Sequence, residues 1–328
     1  MIRVFSGIQP TGSLHLGNYL GAIRNWVALQ DHSDFERLYC VVDYHAITVG
    51  YETDRLAPQS LEMVRDLLAC GLDPDRSIIF LQSQIPEHTE LAWILAATSA
   101  TYGELQRMTQ FKAKAEQQAF VTAGLFSYPV LQAADILLYD ATRVPVGEDQ
   151  VQHLELTREV ARRFNNRFGE TFPEVEPLLT EAPRILSLKD PGQKMSKSSG
   201  EGHYLSLDAP EAEARQMVQR AVTDVGPRAE GEMSPGVANL FTILRSLGSA
   251  DDHDRLQADY AAGTLRYVAL KEAVSDAVWS TAARIQEQKS AFPPDRVKAV
   301  VRAGADRARP LARAKLAQVR NRIGLAEL

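Results

Sequence analysis

Cysteine is nearly absent from this chain: Cys40 and Cys70 are the only two in 328 residues. They are not in CxxC spacing and each sits inside an apolar segment, which argues against a disulfide framework, a metal site or a cluster and reads as two buried structural thiols. No apolar run approaches the roughly 18 residues that a membrane helix needs, and the start lacks the charged-then-apolar pattern of a signal peptide, so a cytoplasmic protein is expected. The basic surplus of a dedicated nucleic-acid binder is missing as well, the formal net charge being −6. Neither GxGxxG nor GxxxxGK followed by Ser or Thr occurs, which removes the sequence support for the common dinucleotide and P-loop readings. Internal repeats and low-complexity linkers are also absent.

What remains is an ordinary globular composition, long enough for a substantial core and two domains. Its most informative stretch is Pro10-Thr11-Gly12-Ser13-Leu14-His15-Leu16-Gly17-Asn18. This follows a predicted strand, Ile2 to Ser6, and leads into helical apolar spacing from Tyr19 to Leu29. A helix opening at a strand end aims unpaired N–H groups and a positive dipole at a phosphate chain. Gly12 and Gly17 permit close backbone approach, and His15 and Asn18 add donors. Far downstream, Lys194-Met195-Ser196-Lys197-Ser198 forms a basic loop bounded by Gly192 and Gly200. Two lysines three apart can close over a polyphosphate and offset the charge of a leaving pyrophosphate.

Further strands are predicted at Leu38 to Asp43, Ser77 to Gln82, Arg143 to Val146 and Arg184 to Leu188. They alternate with helices at Asp54 to Cys70, Glu87 to Gln110 and Val151 to Phe168. This pattern predicts an α/β fold with a parallel sheet and right-handed crossovers. Tyr128 to Leu138 reads as a helix with Pro129 at its first position, apolar from Val130 onward except for Gln132 and Asp135. A carboxylate in such a helix must have a partner. Tyr128, Gln132 and Asp135 share one face, which is either an internal polar network or the wall of a ligand pocket. Beyond the lysine loop only helices are predicted: Glu211 to Ala221, Pro235 to Leu247, Asp252 to Ala262, Tyr267 to Gln288 and Pro294 to Val319. From residue 291 to the end there are nine Lys and Arg against three Asp and Glu. Arg302, Arg309, Arg313 and Arg320 fall on one helical face, either solvated or turned to phosphates.

Together, His15-Leu16-Gly17-Asn18 and Lys194 to Ser198 resemble the HIGH and KMSKS motifs of class I aminoacyl-tRNA synthetases, the first with asparagine in last place. Met108-Thr109-Gln110-Phe111-Lys112, the helix around Asp135 and Val144-Pro145-Val146-Gly147-Glu148-Asp149-Gln150 make the chain similar to the bacterial tryptophanyl branch of that family. The resemblance implies a Rossmann-like catalytic domain over residues 1–190. It implies a helical anticodon-binding domain over 191–328, with the lysine loop included and the last helix packing back. It also implies ATP with Mg²⁺ as substrate complex and no protein-bound metal, L-tryptophan and tRNA(Trp) as partners, a homodimer, and no membrane.

By the same resemblance His15, Lys114, Lys194 and Lys197 are catalytic, with Lys112 beside Lys114. Gln9, Pro10, Thr11, Gly17, Asn18, Gly147, Glu148, Asp149, Ile185, Met195, Ser196 and Ser198 join Lys194 and Lys197 around ATP. Phe5, Gly7, His45, Tyr128, Gln132, Asp135 and Gln150 surround tryptophan. Asp135 is the family's indole-recognition residue, and the chemistry agrees: an indole N–H only donates and an ionised carboxylate only accepts. Gln132 stands where many members have methionine, so this pocket wall is more polar. The stretch after Ser198 is richer in glycine than usual. The alternatives are a tyrosine-specific synthetase, a non-catalytic synthetase paralogue that binds RNA or a protein, and a small nucleotidyltransferase with an HxGH-type turn.

Overall fold

The computed structural model describes residues 2–116, 120–147, 151–179, 183–223 and 233–326, with the backbone alone at 113, 114, 179 and 198. Strand β1 (Ile2–Ile8) is followed by α1 (Leu16–Asn18), which runs through a π-helical turn at Tyr19–Ile23 into α2 (Arg24–Leu29). Next come β2 (Phe35–Val41), the short α3 (Asp43–Ala46), α4 (Leu56–Ala69) and β3 (Ile78–Leu81). Helices α5 (Glu87–Thr98), α6 (Tyr102–Arg107), α7 (Thr109–Ala115) and α8 (Ala123–Leu137) precede β4 (Arg143–Val146). After these stand α9 (Val151–Phe168) and β5 (Glu176–Leu179), then α10 (Glu211–Gln219), α11 (Pro235–Leu247), α12 (Ala250–Ala261), α13 (Tyr267–Lys289) and α14 (Pro294–Ile323).

Among the described residues the sheet has five strands, all parallel, in the order β3-β2-β1-β4-β5. Strand order reverses direction beside β1, and in such sheets the ligand crevice opens beyond the carboxyl ends of the strands at that point. Both sheet faces are covered, which explains why β1 and β2 carry consecutive buried residues such as Val4-Phe5 and Leu38-Tyr39-Cys40-Val41. One core lies between α4, the strands and α11 to α13; the other joins the strands to α5, α8 and α9. Helix α14 enters both, with Val297 and Val301 in the first and Ala305, Ala308 and Ala312 in the second. At the crossing, a Cβ on Gly304 would lie 1.8 Å from the Ile79 carbonyl oxygen, so only glycine lets α14 meet β3 main chain to main chain.

Several boundaries differ from the sequence reading. Arg184 to Leu188 is not a sheet strand: its one bridge pairs Leu186 with Lys194, and the fifth strand is Glu176–Leu179. β5 carries Pro177, tolerated because this is an edge strand, where a missing donor costs little. Pro129 lies inside α8 rather than at its start. Thr122 caps this helix by accepting from Leu125 N at 3.0 Å, so the helix begins two turns earlier. Arg55, not Asp54, precedes α4, and the block from Glu87 breaks after Thr98 before α6. Both cysteines are buried and free. No helix among the described residues is long and apolar enough to cross a membrane.

Candidate active site

The loop after β1 and the loop after β2 leave the sheet side by side, because Ile8 pairs with Val41 and its carbonyl accepts from Val42 N at 2.9 Å. His15 ends the first loop as the N-cap of α1. Its Nδ1 accepts from Asn18 N at 3.3 Å, while Asn18 Oδ1 accepts from His15 N at 3.4 Å. This reciprocal box satisfies helix-start donors and fixes the tautomer, since an accepting Nδ1 leaves the ring proton on Nε2. Burial, reinforced by Lys197 and Lys194, lowers the imidazole from its ordinary 6.5 to about 4. His15 is therefore a neutral donor at physiological pH.

The lysine loop lies directly against this turn. Lys197 Nζ donates to the Thr11 carbonyl at 3.0 Å, and a Cβ on Gly17 would stand 3.3 Å from Cβ of Met195. Met195, itself buried, donates its N–H to Ile185 O at 2.9 Å, which ties Ile185 to the same loop. Thr11 N donates to Gln9 O at 2.9 Å across Pro10, and Gly12 has φ +81°, a conformation that favours glycine. Lys194 is exposed and Ser196 half-buried at the mouth. Burial lowers the Lys197 ammonium from 10.5 to about 8, against the opposing pull of Asp66 and Asp208. The loop beyond is anchored to the α1 turn by a bridge between Ser206 and His15 and by Leu16 N donating to Leu205 O at 2.9 Å.

The second half of the site is built on α8. Asp135 is 2% exposed. His45 Nε2 lies 2.8 Å from its Oδ2, while Gln82 Nε2 at 2.7 Å and His88 Nδ1 at 2.7 Å both meet Oδ1. Burial alone would raise this carboxyl; the hydrogen bonds from His45 and His88 and their electrostatic attraction outweigh it and hold it well below the usual carboxylate range. Asp135 is thus an ionised acceptor in an apolar surround. Tyr128, two turns earlier and buried, has its hydroxyl 2.9 Å from His153 Nε2, and burial pushes that phenol up to about 12. The His45 ring meets Tyr128 edge-on at 6.3 Å between centroids, so the segment after β2 packs against α8. Phe5 stacks on Tyr139 at 5.7 Å, and at Gly7 a Cβ would come within 2.9 Å of Val42 Cγ1, which would have to shift. Gln132 is half-buried on the same helix.

The remaining residues divide. Gly147 is exposed at the end of β4, whereas Glu148, Asp149 and Gln150 and the side chains of Lys114 and Ser198 lie outside the described residues. Lys112 is exposed on α7. Of the four arginines that the sequence places on one face of α14, Arg309 pairs with Asp306 at 2.8 Å, Arg313 with Glu87 at 3.0 Å and Arg320 with Glu90 at 2.5 Å. Gln82, His88, Tyr139 and His153 were not singled out from the sequence. Gln82 had one usable signal, its place at the carboxyl end of a strand, but nothing local marks His88 as facing α8. Among the described residues no group of three or more His, Cys, Asp and Glu could hold a metal ion.

A family model described as tRNA synthetases class I (W and Y) matches residues 1–281. The Tryptophan--tRNA ligase of Helicobacter pylori (strain J99) is 45% identical over 98% of each chain, and that of Caldanaerobacter subterraneus subsp. tengcongensis 44% over 99% of each. Among solved structures, the tryptophanyl-tRNA synthetase from Campylobacter jejuni complexed with ADP and tryptophan superposes with a TM-score of 0.84. It is 33% identical over 99% of this chain and 100% of that one. The Mycoplasma pneumoniae enzyme gives 0.88 at 35% identity, covering 99% and 98%.

Proposed function

The chain belongs to the class I tRNA synthetases of the tryptophan and tyrosine group, and from that premise we propose that it is a tryptophan--tRNA ligase. It activates L-tryptophan with ATP and transfers the aminoacyl group to tRNA(Trp). The observation that carries the choice of amino acid is Asp135: an ionised carboxylate, buried on α8, accepting three hydrogen bonds from neighbouring side chains. A carboxylate offers about four lone-pair positions, so one stays available for a ligand that can only donate, as the indole N–H does. A site of this kind rejects a substrate lacking the donor by factors on the order of 10⁴ to 10⁵.

In the first step a carboxylate oxygen of tryptophan attacks the α-phosphorus of ATP. The bond to the β-phosphate oxygen breaks, and pyrophosphate leaves with the Mg²⁺ that arrived on ATP. In the second, the 2′-hydroxyl of the terminal adenosine attacks the aminoacyl carbonyl and AMP departs. No protein nucleophile is needed, so the protein contributes positioning and charge stabilisation. His15 Nε2–H, Asn18 and the start of α1 hold the bending triphosphate with Gln9, Pro10, Thr11 and Gly17. Lys194, Lys197 and Lys114 neutralise the departing phosphates, with Met195, Ser196 and Ser198 shaping their loop. Ile185 borders the adenine, Gly147 to Asp149 the nucleotide, and Gln150 the substrate ammonium. Phe5, Gly7, His45, Tyr128 and Gln132 line the amino-acid side.

Residues 1–190 are the catalytic domain in this reading and 191–328 the domain that reads the anticodon, working as a cytoplasmic homodimer. The contact between the two motifs at Thr11 and Lys197 supports the nucleotide half of the reading. Tryptophan-dependent ATP–pyrophosphate exchange, run beside tyrosine, tests it. Exchange with tryptophan alone, lost by at least a thousandfold in Asp135→Ala, is the expected result; exchange with tyrosine, or none with either, rejects the assignment.

A further inference from the structure

The two oxygens of Asp135 are not equivalent. Oδ1 receives two donors, Gln82 Nε2 at 2.7 Å and His88 Nδ1 at 2.7 Å, and both of those residues are fully buried. Oδ2 receives one, from His45, whose ring also borders Tyr128. Each donor is itself held from behind. Gln82 Oε1 accepts from Tyr44 N at 3.1 Å, which orients the amide with its NH₂ toward Asp135. His88 Nε2 lies 2.8 Å from the Tyr139 hydroxyl. An ionised carboxylate only accepts, so His88 Nδ1 carries the ring proton that faces Asp135, and Nε2 is the nitrogen placed to accept from the Tyr139 hydroxyl. Tyr139 in turn stacks on Phe5 and meets Phe80 edge-on at 5.7 Å, so the far end of the relay is fixed by the sheet.

We propose that His88, backed by Tyr139 and assisted by Gln82, is a positioning residue for amino-acid selection: the relay saturates Oδ1 of Asp135 and leaves the open lone pair on Oδ2, beside His45, as the one acceptor for the indole N–H. This rests on the reading of Asp135 given above and adds the device that aims it. A carboxylate free to rotate would present either oxygen and accept a displaced ring, whereas one pinned through Oδ1 accepts a donor along a single line. Buried acceptors of fixed direction discriminate better than mobile ones because a ligand without the donor leaves them unpaired at full desolvation cost.

The test is the ratio of kcat/KM in ATP–pyrophosphate exchange for tryptophan over its isostere with sulfur in place of the ring N–H. His88→Leu removes the donor to Oδ1. It is expected to lower the ratio at least tenfold, through the tryptophan arm, with the sulfur analogue changed less than threefold. His88→Asn replaces Nδ1–H by an amide N–H at nearly the same place and is expected to keep the ratio within threefold of wild type. Equal loss for both substrates in His88→Leu, or an unchanged ratio, overturns the proposal while leaving tryptophan activation intact. A wild-type enzyme indifferent to the sulfur analogue overturns the indole reading itself and this device with it. Should His88→Leu fail to fold, Tyr139→Phe keeps the packing and deletes only the outer donor. A threefold or larger fall in the ratio then supports the relay, and no fall overturns it.

Discussion

Lys197 Nζ donates to the main-chain carbonyl of Thr11 at 3.0 Å, joining two loops that lie far apart in sequence. The ammonium caps a carbonyl in the turn that precedes His15, so the lysine loop is tied to the start of α1. Its partner lysine, Lys194, bridges Leu186 through the backbone and leaves its side chain exposed at the mouth.

Lys194→Ala is expected to slow adenylate formation by at least tenfold, which corresponds to about 1.4 kcal/mol or more of transition-state stabilisation. Pyrophosphate exchange at saturating tryptophan measures it, and an unchanged rate removes Lys194 from the chemistry.

The lowered Lys197 sets an alkaline limit. Below about pH 8 the ammonium is charged and, in the proposed role, offsets phosphate charge; above it the free enzyme carries a neutral amine. The kcat/KM for ATP is therefore expected to fall as pH rises through about 8. Lys197→Arg, which stays charged, should move that limb to higher pH. A profile flat to pH 9.5 in the wild-type enzyme contradicts the assignment.

His15 bears on stability in the opposite pH range. Its folded pKa of about 4 lies below the ordinary 6.5, so between those values the unfolded chain binds the proton and the folded one does not. Stability is thus expected to be full above pH 6.5 and to decline as pH falls toward 4, by up to about 3 kcal/mol from this group. Urea unfolding at pH 7.5 and 4.5 tests this. His15→Asn, which keeps a capping side chain, should show the smaller acid loss.

Lys289, at the end of α13, sits against Asp66 of α4, with Asp208 at 2.5 Å and Glu62 at 3.5 Å. Asp66 is 1% exposed, and burial raises its carboxyl to about 6 even with the ammonium beside it. Replacing Lys289 by Met leaves that carboxylate without its counter-charge at a cost of about 3–5 kcal/mol. The double variant Lys289→Met with Asp66→Asn should recover much of the loss. Equal melting temperatures for the wild type and the single variant would show that the cluster is structurally idle.

The elements whose pattern is strongly periodic could be read directly. Val151–Phe168 and Pro235–Leu247 have the bounds read from the sequence, and β1 to β4 follow their apolar runs. Pro129 misled because it was read as a first helical position, whereas the Thr122 cap starts the helix earlier and proline is carried inside it. At the site, Asp135 and His45 were visible because the first interrupts an apolar helix and the second stands just past a strand. His88 was not, since its partners Asp135 and Tyr139 are 47 and 51 residues away and only tertiary packing joins them.

The glycine at 304 has a bearing on how the chain comes to be folded. β3 borders the sheet, and the segment that covers it by direct backbone approach is made long after every strand. Until then a growing chain on the ribosome carries an uncovered sheet border able to recruit strands from its neighbours. Protection from aggregation is therefore acquired late in translation, and a side chain at that one position would withhold it from the finished molecule.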